Sequence, residues 1–237
     1  MEHDDGKKIR SSVAMAGIML GAMWLIHLLV WVSGIDVTLF ANIPRRAEGL
    51  LGILTSPWIH DDVWHLLSNS GPLFLFATAM LYFYRRSALP AAIGIWLLSG
   101  FWVWLTAHPG AHIGASGIVY GFGAFLFFSG VFRRDPRSIS VSVCIAFIYG
   151  GMVWGILPGK SGISWESHLF GALAGIAMAW GLRRLDASRP KRYRWEDEPD
   201  HAPADENAPW NYRQNWPGSR QFHLPGGNKH PDNPFDH

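Results

Sequence analysis

Apolar residues gather along the chain into long runs separated by short polar breaks. After the polar segment MEHDDGKKIR, the first run extends from Val13 to about Gly34. A helix needs about 20 such residues to cross the hydrocarbon layer. Further runs extend from about Val63 to Tyr84, Leu89 to Ala107, Ala115 to Phe132, Ile139 to Leu157 and Trp165 to Leu182. The breaks between them carry Arg85-Arg86, His108-Pro109-Gly110, Arg133-Arg134-Asp135-Pro136 and Pro158-Gly159-Lys160. This pattern predicts an all-α polytopic membrane protein with six transmembrane helices. Lys7, Lys8 and Arg10 resemble the basic start of a signal peptide, but the run behind them is too long and no clear small-residue cleavage site follows. It reads as a retained first helix. Residues 36–62 form a mixed loop, and Asp61 or Asp62 is placed to cap the helix that follows it.

Beyond about Asp186 the chain turns to Pro, Asp, Glu, Asn and His with scattered Trp, and no period of 3.6 or 2 persists. A mostly disordered tail is expected there. The organisation is therefore a segment 1–12, a membrane domain 13–185 and a polar tail 186–237.

Charge sets the expected orientation. With the N-terminus in the cytoplasm, the inner segments hold Lys7, Lys8, Arg10, Arg85, Arg86, Arg133, Arg134, Arg137, Arg183 and Arg184, and the outer loops hold only Arg45, Arg46 and Lys160. Cytoplasmic loops are the ones enriched in Lys and Arg. Six spans then put both termini in the cytoplasm, in a protein of the plasma membrane. A net charge of +2 is too small to point to nucleic acid, and charged residues make up only 16% of the chain, well below soluble domains. The lone Cys144 cannot form an internal disulfide and reads as a small buried hydrophobe.

Polar side chains inside spanning segments are costly and usually mark function or helix contacts. Three spans that begin outside each carry such groups near their start: His65 and Asn69 on the second, Ser116 on the fourth, His168 on the sixth. A serine hydroxyl becomes a nucleophile when a nearby base takes its proton, a job suited to His168 acting on Ser116. Gly117-xxx-Gly121 and Gly171-xxx-Gly175 are small-residue faces that let the fourth and sixth helices approach closely. Tyr120 lies one turn deeper than Ser116 on the same face, placed to stack on the His168 ring. His65 and Asn69, spaced i, i+4, share one face of the second helix and could join the Ser116 amide as oxyanion donors.

These residues resemble the rhomboid family of intramembrane serine proteases. Thr55 and His60, followed by His65 and Asn69, are similar to its T-x-x-x-x-H and H-x-x-x-N patterns. Gly114-Ala115-Ser116-Gly117 resembles its G-x-S-G, Tyr120 its stacking tyrosine, and His168, Gly171 and Gly175 its H-x-x-G-x-x-x-G. The resemblance implies a six-helix rhomboid-like bundle with Ser116 as nucleophile and His168 as base. It also implies His65, Asn69 and the Ser116 amide as oxyanion donors, with Gly114 and Tyr120 in support. Substrates would be transmembrane proteins cut in the lipid near helix-breaking residues, with no metal or other cofactor. Two positions depart from the pattern. The family often has Trp-Arg where Leu51-Gly52 stands, and commonly alanine where Ser167 stands, a change expected to matter little because serine is also small.

Other functions fit less well. A client-binding relative without catalysis usually lacks the serine or histidine, and both are present. No span carries a buried charge to mark an ion path, as a channel or transporter would need. The H-E-x-x-H of zinc proteases is absent, and His60, Asp61, Asp62 and His65 do not converge as metal ligands at helical spacing.

Overall fold

Each long apolar run folds as a helix. The computed structural model describes residues 2–158 and 164–186, and the expected tail lies almost entirely outside them. Seven α-helices follow in order: α1 (Glu2–Ser33), α2 (Gly52–Thr55), α3 (Val63–Phe83), α4 (Ala88–Thr106), α5 (Ser116–Arg133), α6 (Pro136–Tyr149) and α7 (Trp165–Gly181). Among the described residues the fold is all-helical, apart from an isolated antiparallel bridge between Asn42 and His112.

Among the described residues five helical stretches are long and apolar enough to cross a membrane: α1, α3, α4, α5 and Pro136–Ile156, which begins as α6. Helix α7 has 17 residues, about 25 Å at 1.5 Å per residue, so it falls short of that length. Large apolar side chains face outward along the bundle, among them Leu25, Leu29, Trp31, Val143 and Phe147.

Three details add to or depart from the sequence pattern. Helix α1 starts at Glu2, so the polar residues 2–12 continue into the first apolar run as one helix. Lys8 pairs with Asp5 at 3.3 Å on successive turns, which supports helix there. The run expected as one helix from Ile139 to Leu157 leaves α-geometry at Gly150 and continues to Ile156 as a 3-10 helix. Gly150 and Gly151 weaken the α-helix at that point. Cys144 is exposed, not buried, because α6 packs through Ser138, Val141, Ser142 and Ile145, a face that excludes it.

Helix starts follow local chemistry. Asp62 caps α3 by accepting the His65 N–H at 2.8 Å, and Asp135 caps α6 by accepting from Ser138 at 3.1 Å, with Pro136 at the first helical position. The loop before α3 is fastened to α4. The Arg45 N–H donates to the Trp104 carbonyl at 2.8 Å, and the Trp96 and Trp104 indoles donate to the Ile53 and Arg46 carbonyls at 3.1 and 2.9 Å. A Cβ on Gly52 would collide with the Ala41 carbonyl, so the arginine common at this place in the family has no room here.

Helix α7 packs against α4 and α5. Along the α5–α7 seam, a Cβ on Gly171 would strike the Gly117 carbonyl and one on Gly175 the Gly121 carbonyl. The two glycine pairs expected from the sequence thus meet backbone to backbone. At the opposite end of the bundle, Asp186 accepts from the Arg86 and Ser87 N–H groups at 3.1 and 2.9 Å and from the Ser87 hydroxyl. Arg133 donates to Ser87 Oγ and to the Leu182 carbonyl, both at 3.1 Å. One carboxylate and one guanidinium therefore tie the starts of α4 and the ends of α5 and α7 together.

Candidate active site

Three helix starts converge on one cavity of about 1140 Å³, whose lining includes His65, Asn69, Ser116, Tyr120 and His168. Ser116 is the first residue of α5, so its own N–H has no partner within the helix and sits at the positive end of the helix dipole.

The turn before Ser116 is held from two sides. Gly114 adopts φ +103°, a conformation that favours glycine, and its N–H donates to the Ser56 carbonyl at 2.9 Å. A Cβ on Gly114 would also lie 2.6 Å from Cε1 and Nε2 of His65, so the glycine is needed for space as well as conformation. The Ala115 N–H donates to His60 Nε2 at 3.3 Å. His60 is buried, and burial first, then the neighbouring His65 and His27, push it down to about 4, which keeps that nitrogen an acceptor near neutral pH.

His168, in the first turn of α7, is buried on the other side of the cavity. Its Nδ1 donates to the Gly155 carbonyl at 2.9 Å. That bond places the ring proton on Nδ1 and leaves Nε2 as the proton acceptor. The ring also lies flat on Tyr120, with centroids 4.1 Å apart and planes 7° apart. Among the described residues no hydrogen bond joins the Ser116 hydroxyl to His168.

On α3, Asn69 is buried and donates one amide N–H to the His65 carbonyl at 3.1 Å; an amide has two such protons. His65 Nδ1 lies 2.6 Å from Asp61 Oδ1. All six residues singled out in the sequence, Gly114, Ser116, Tyr120, His168, His65 and Asn69, are thus brought to one place.

Several partners escaped the sequence reading. The Gly155 carbonyl is one; His60 as the anchor of the turn is another, although the T-x-x-x-x-H pattern pointed at it. A third is a polar chain that fixes the start of α7. The Ser167 hydroxyl reaches Ser164 Oγ at 2.6 Å, and Ser164 reaches His112 Nδ1 at 2.6 Å. His112 Nε2 donates to the His108 carbonyl at 3.1 Å. Beside it, the His108 N–H and Nδ1 both reach Glu166 Oε1, at 2.8 and 2.5 Å. Ser167 therefore does more than stay small: its hydroxyl belongs to the chain that seats the helix bearing His168.

Comparisons with known proteins bear on the family of the chain. The Rhomboid domain model matches residues 47–185, more than half of the chain. An uncharacterized protein of Mycobacterium tuberculosis is 33% identical over 169 residues, covering 68% of this chain and 70% of its own. An uncharacterized protein of Mycobacterium bovis matches to the same extent. Another, from Mycobacterium leprae, is 35% identical over 150 residues, 58% of each chain. On these grounds the chain belongs to the rhomboid family, and it is an integral membrane protein.

Proposed function

We propose that this rhomboid is catalytically active, an intramembrane serine protease that works through Ser116 and His168. The observation that carries the reading is the state of His168. Its tautomer is fixed by the Gly155 carbonyl and its plane by Tyr120, which leaves Nε2 free to accept a proton inside the cavity that Ser116 lines.

The chemistry follows. Ser116 Oγ attacks the scissile carbonyl as its proton passes to His168 Nε2. The negative charge on the carbonyl oxygen is met by the Ser116 N–H, Asn69 and His65, which line the same cavity. His168 then protonates the leaving amine, and water, activated by the same nitrogen, releases the acyl group from Ser116. No step calls for a metal or other cofactor. Tyr120 takes over the orienting job that a carboxylate performs in soluble triads.

The substrates are transmembrane proteins, cut where their helices unwind near small or helix-breaking residues. α7 is the sixth span, both termini face the cytoplasm, and the cavity opens toward the outer face of the plasma membrane, as the distribution of Lys and Arg supports. The tail beyond Asp186 is a cytoplasmic extension. A relative that binds clients without cutting them would share the fold, and the missing Ser116–His168 bond favours that alternative. Catalytic hydrogen bonds in empty sites, however, often tighten only once substrate is bound.

Labelling of the solubilised protein with a fluorophosphonate tests the reading without a known substrate. Wild type should label, and Ser116→Ala and His168→Ala should not. A folded wild type that neither labels nor cleaves a model transmembrane substrate in liposomes would favour the client-binding role.

A further inference from the structure

The contact between Asp61 and His65 bears on how the oxyanion is held. A histidine can serve as an oxyanion donor only through a ring N–H. His65 Nδ1 is committed to Asp61 Oδ1 at 2.6 Å, and a carboxylate only accepts, so the ring proton sits on Nδ1. The other ring nitrogen, Nε2, is on the edge that faces Gly114, two residues before Ser116. In a neutral ring with this tautomer Nε2 carries a lone pair, which would repel an oxyanion. Donation from Nε2 requires a second ring proton, and the resulting cation is balanced by the Asp61 carboxylate.

The geometry points to Asp61 as a positioning residue: its carboxylate fixes the His65 ring and supplies the counter-charge that lets His65 meet the oxyanion as a doubly protonated donor. This rests on the protease reading and adds a fourth participant to its oxyanion site. Hydrogen bonds from charged donors are shorter and about twice as strong as neutral ones.

The surroundings suit the role. Asp62, next in the chain, spends its carboxylate on the His65 backbone N–H, so Asp61 alone faces the ring nitrogen. The His60 ring stands edge-on to His65, with centroids 5.0 Å apart and planes 71° apart, and stays uncharged near neutral pH. Across the cavity stand His168 from α7, bound to Gly155, and Glu166, whose carboxylate is taken by His108. The Asp61 N-terminal neighbourhood needs no repair on substitution, because asparagine keeps the oxygen that accepts the Asp62 N–H.

The test compares wild type, Asp61→Asn, Asp61→Glu, His65→Gln and the double variant Asp61→Asn/His65→Gln on a model transmembrane substrate in liposomes. It is read together with proton spectra of ring-labelled histidine. Asp61→Asn should lower kcat about tenfold with KM within about twofold, since one whole oxyanion donor is worth about a hundredfold or more. Asp61→Glu should restore most of the loss, and the double variant should be no slower than His65→Gln alone. The far-downfield Nδ1 proton that disappears in His65→Gln should move upfield in Asp61→Asn, where a neutral amide oxygen replaces the carboxylate. An unchanged kcat, additive losses in the double variant, or an Nδ1 proton indifferent to Asp61 would each overturn the assignment. Absence of any Ser116-dependent cleavage by wild type would instead sink the protease reading, and the spectrum would then decide the Asp61–His65 pairing by itself.

Discussion

The rings of Tyr120 and His168 lie parallel, 4.1 Å apart between centroids, although the two residues belong to different helices. The contact is made by ring faces, and among the described residues the Tyr120 hydroxyl forms no hydrogen bond to the imidazole. Tyr120→Phe should therefore keep activity within about threefold. Tyr120→Leu should lose about tenfold, because an aromatic pair contributes about 0.5–1.5 kcal/mol beyond its buried area. Rates on a liposome-embedded substrate check both, and an equal loss in the two variants would assign the hydroxyl a part of its own.

Gly155 offers its carbonyl to His168 from a spot with no room for a side chain. An added Cβ would collide with the Tyr120 hydroxyl and lie 3.3 Å from His168 Nδ1. Gly155→Ala is expected to displace either the ring or the carbonyl, and to slow fluorophosphonate labelling at least tenfold, in line with the cost of small misplacements at a reacting centre. Its melting temperature should stay near that of wild type, since the surrounding 3-10 helix has no buried residues.

Asn69→Ala removes one oxyanion donor and leaves the Ser116 amide and His65. Cleavage should fall about a hundredfold while substrate affinity holds, whereas Ser116→Ala should abolish it. Steady-state kinetics of the two variants side by side give the comparison, and equal damage would contradict a shared oxyanion site.

Gly171→Ala presses a methyl group onto the Gly117 carbonyl. Overpacking of this kind costs about 1–3 kcal/mol. Unfolding in mixed detergent should register that loss together with weaker labelling, because the α5–α7 spacing sets the positions of Ser116 and His168. Gly181→Ala, where an added Cβ meets nothing within 4 Å, is the control and should match wild type in both measurements.

His60 makes stability depend on acidity. Its ordinary value is 6.5 and the folded protein holds it at about 4, chiefly through burial. Between those values the unfolded chain binds a proton that the folded one refuses, so stability is complete above pH 6.5 and declines as the pH falls toward 4. The decline should reach about 3 kcal/mol at most, at 1.36 kcal/mol per pH unit. His60→Gln, which keeps an acceptor for the Ala115 N–H without a titrating ring, should flatten that slope in unfolding curves taken from pH 7 to pH 4.

Much of this candidate site could be read from the chain because the residues that meet in it are side chains of distinctive type in membrane segments. Ser116, His168, His65 and Asn69 stand out against their apolar neighbours, and the glycines of α5 and α7 announce a close seam by their spacing. Other elements left no comparable trace. Every residue has a carbonyl, so nothing in the sequence marks Gly155 as the partner of His168 across 13 residues. Asp61 and Asp62 are equivalent as candidate caps, and only the helix start at Val63 decides that Asp62 caps while Asp61 turns to the ring. The bonds from His108 to Glu166 and from His112 to Ser164 span more than 50 residues, beyond any local period. The loss of α-geometry at Gly150 was hidden inside an unbroken apolar run.

The seam between α5 and α7 has one more consequence. A joint of side chains can settle into several rotamers, and its gap drifts as they exchange. Here glycine backbone meets glycine backbone, so the separation of the helices that carry Ser116 and His168 is set by main-chain radii at these two places and not by side-chain rotamers. The proposed nucleophile and base are thus mounted like two jaws on a joint of main chain, which suits the roughly half-ångström placement that catalytic groups require.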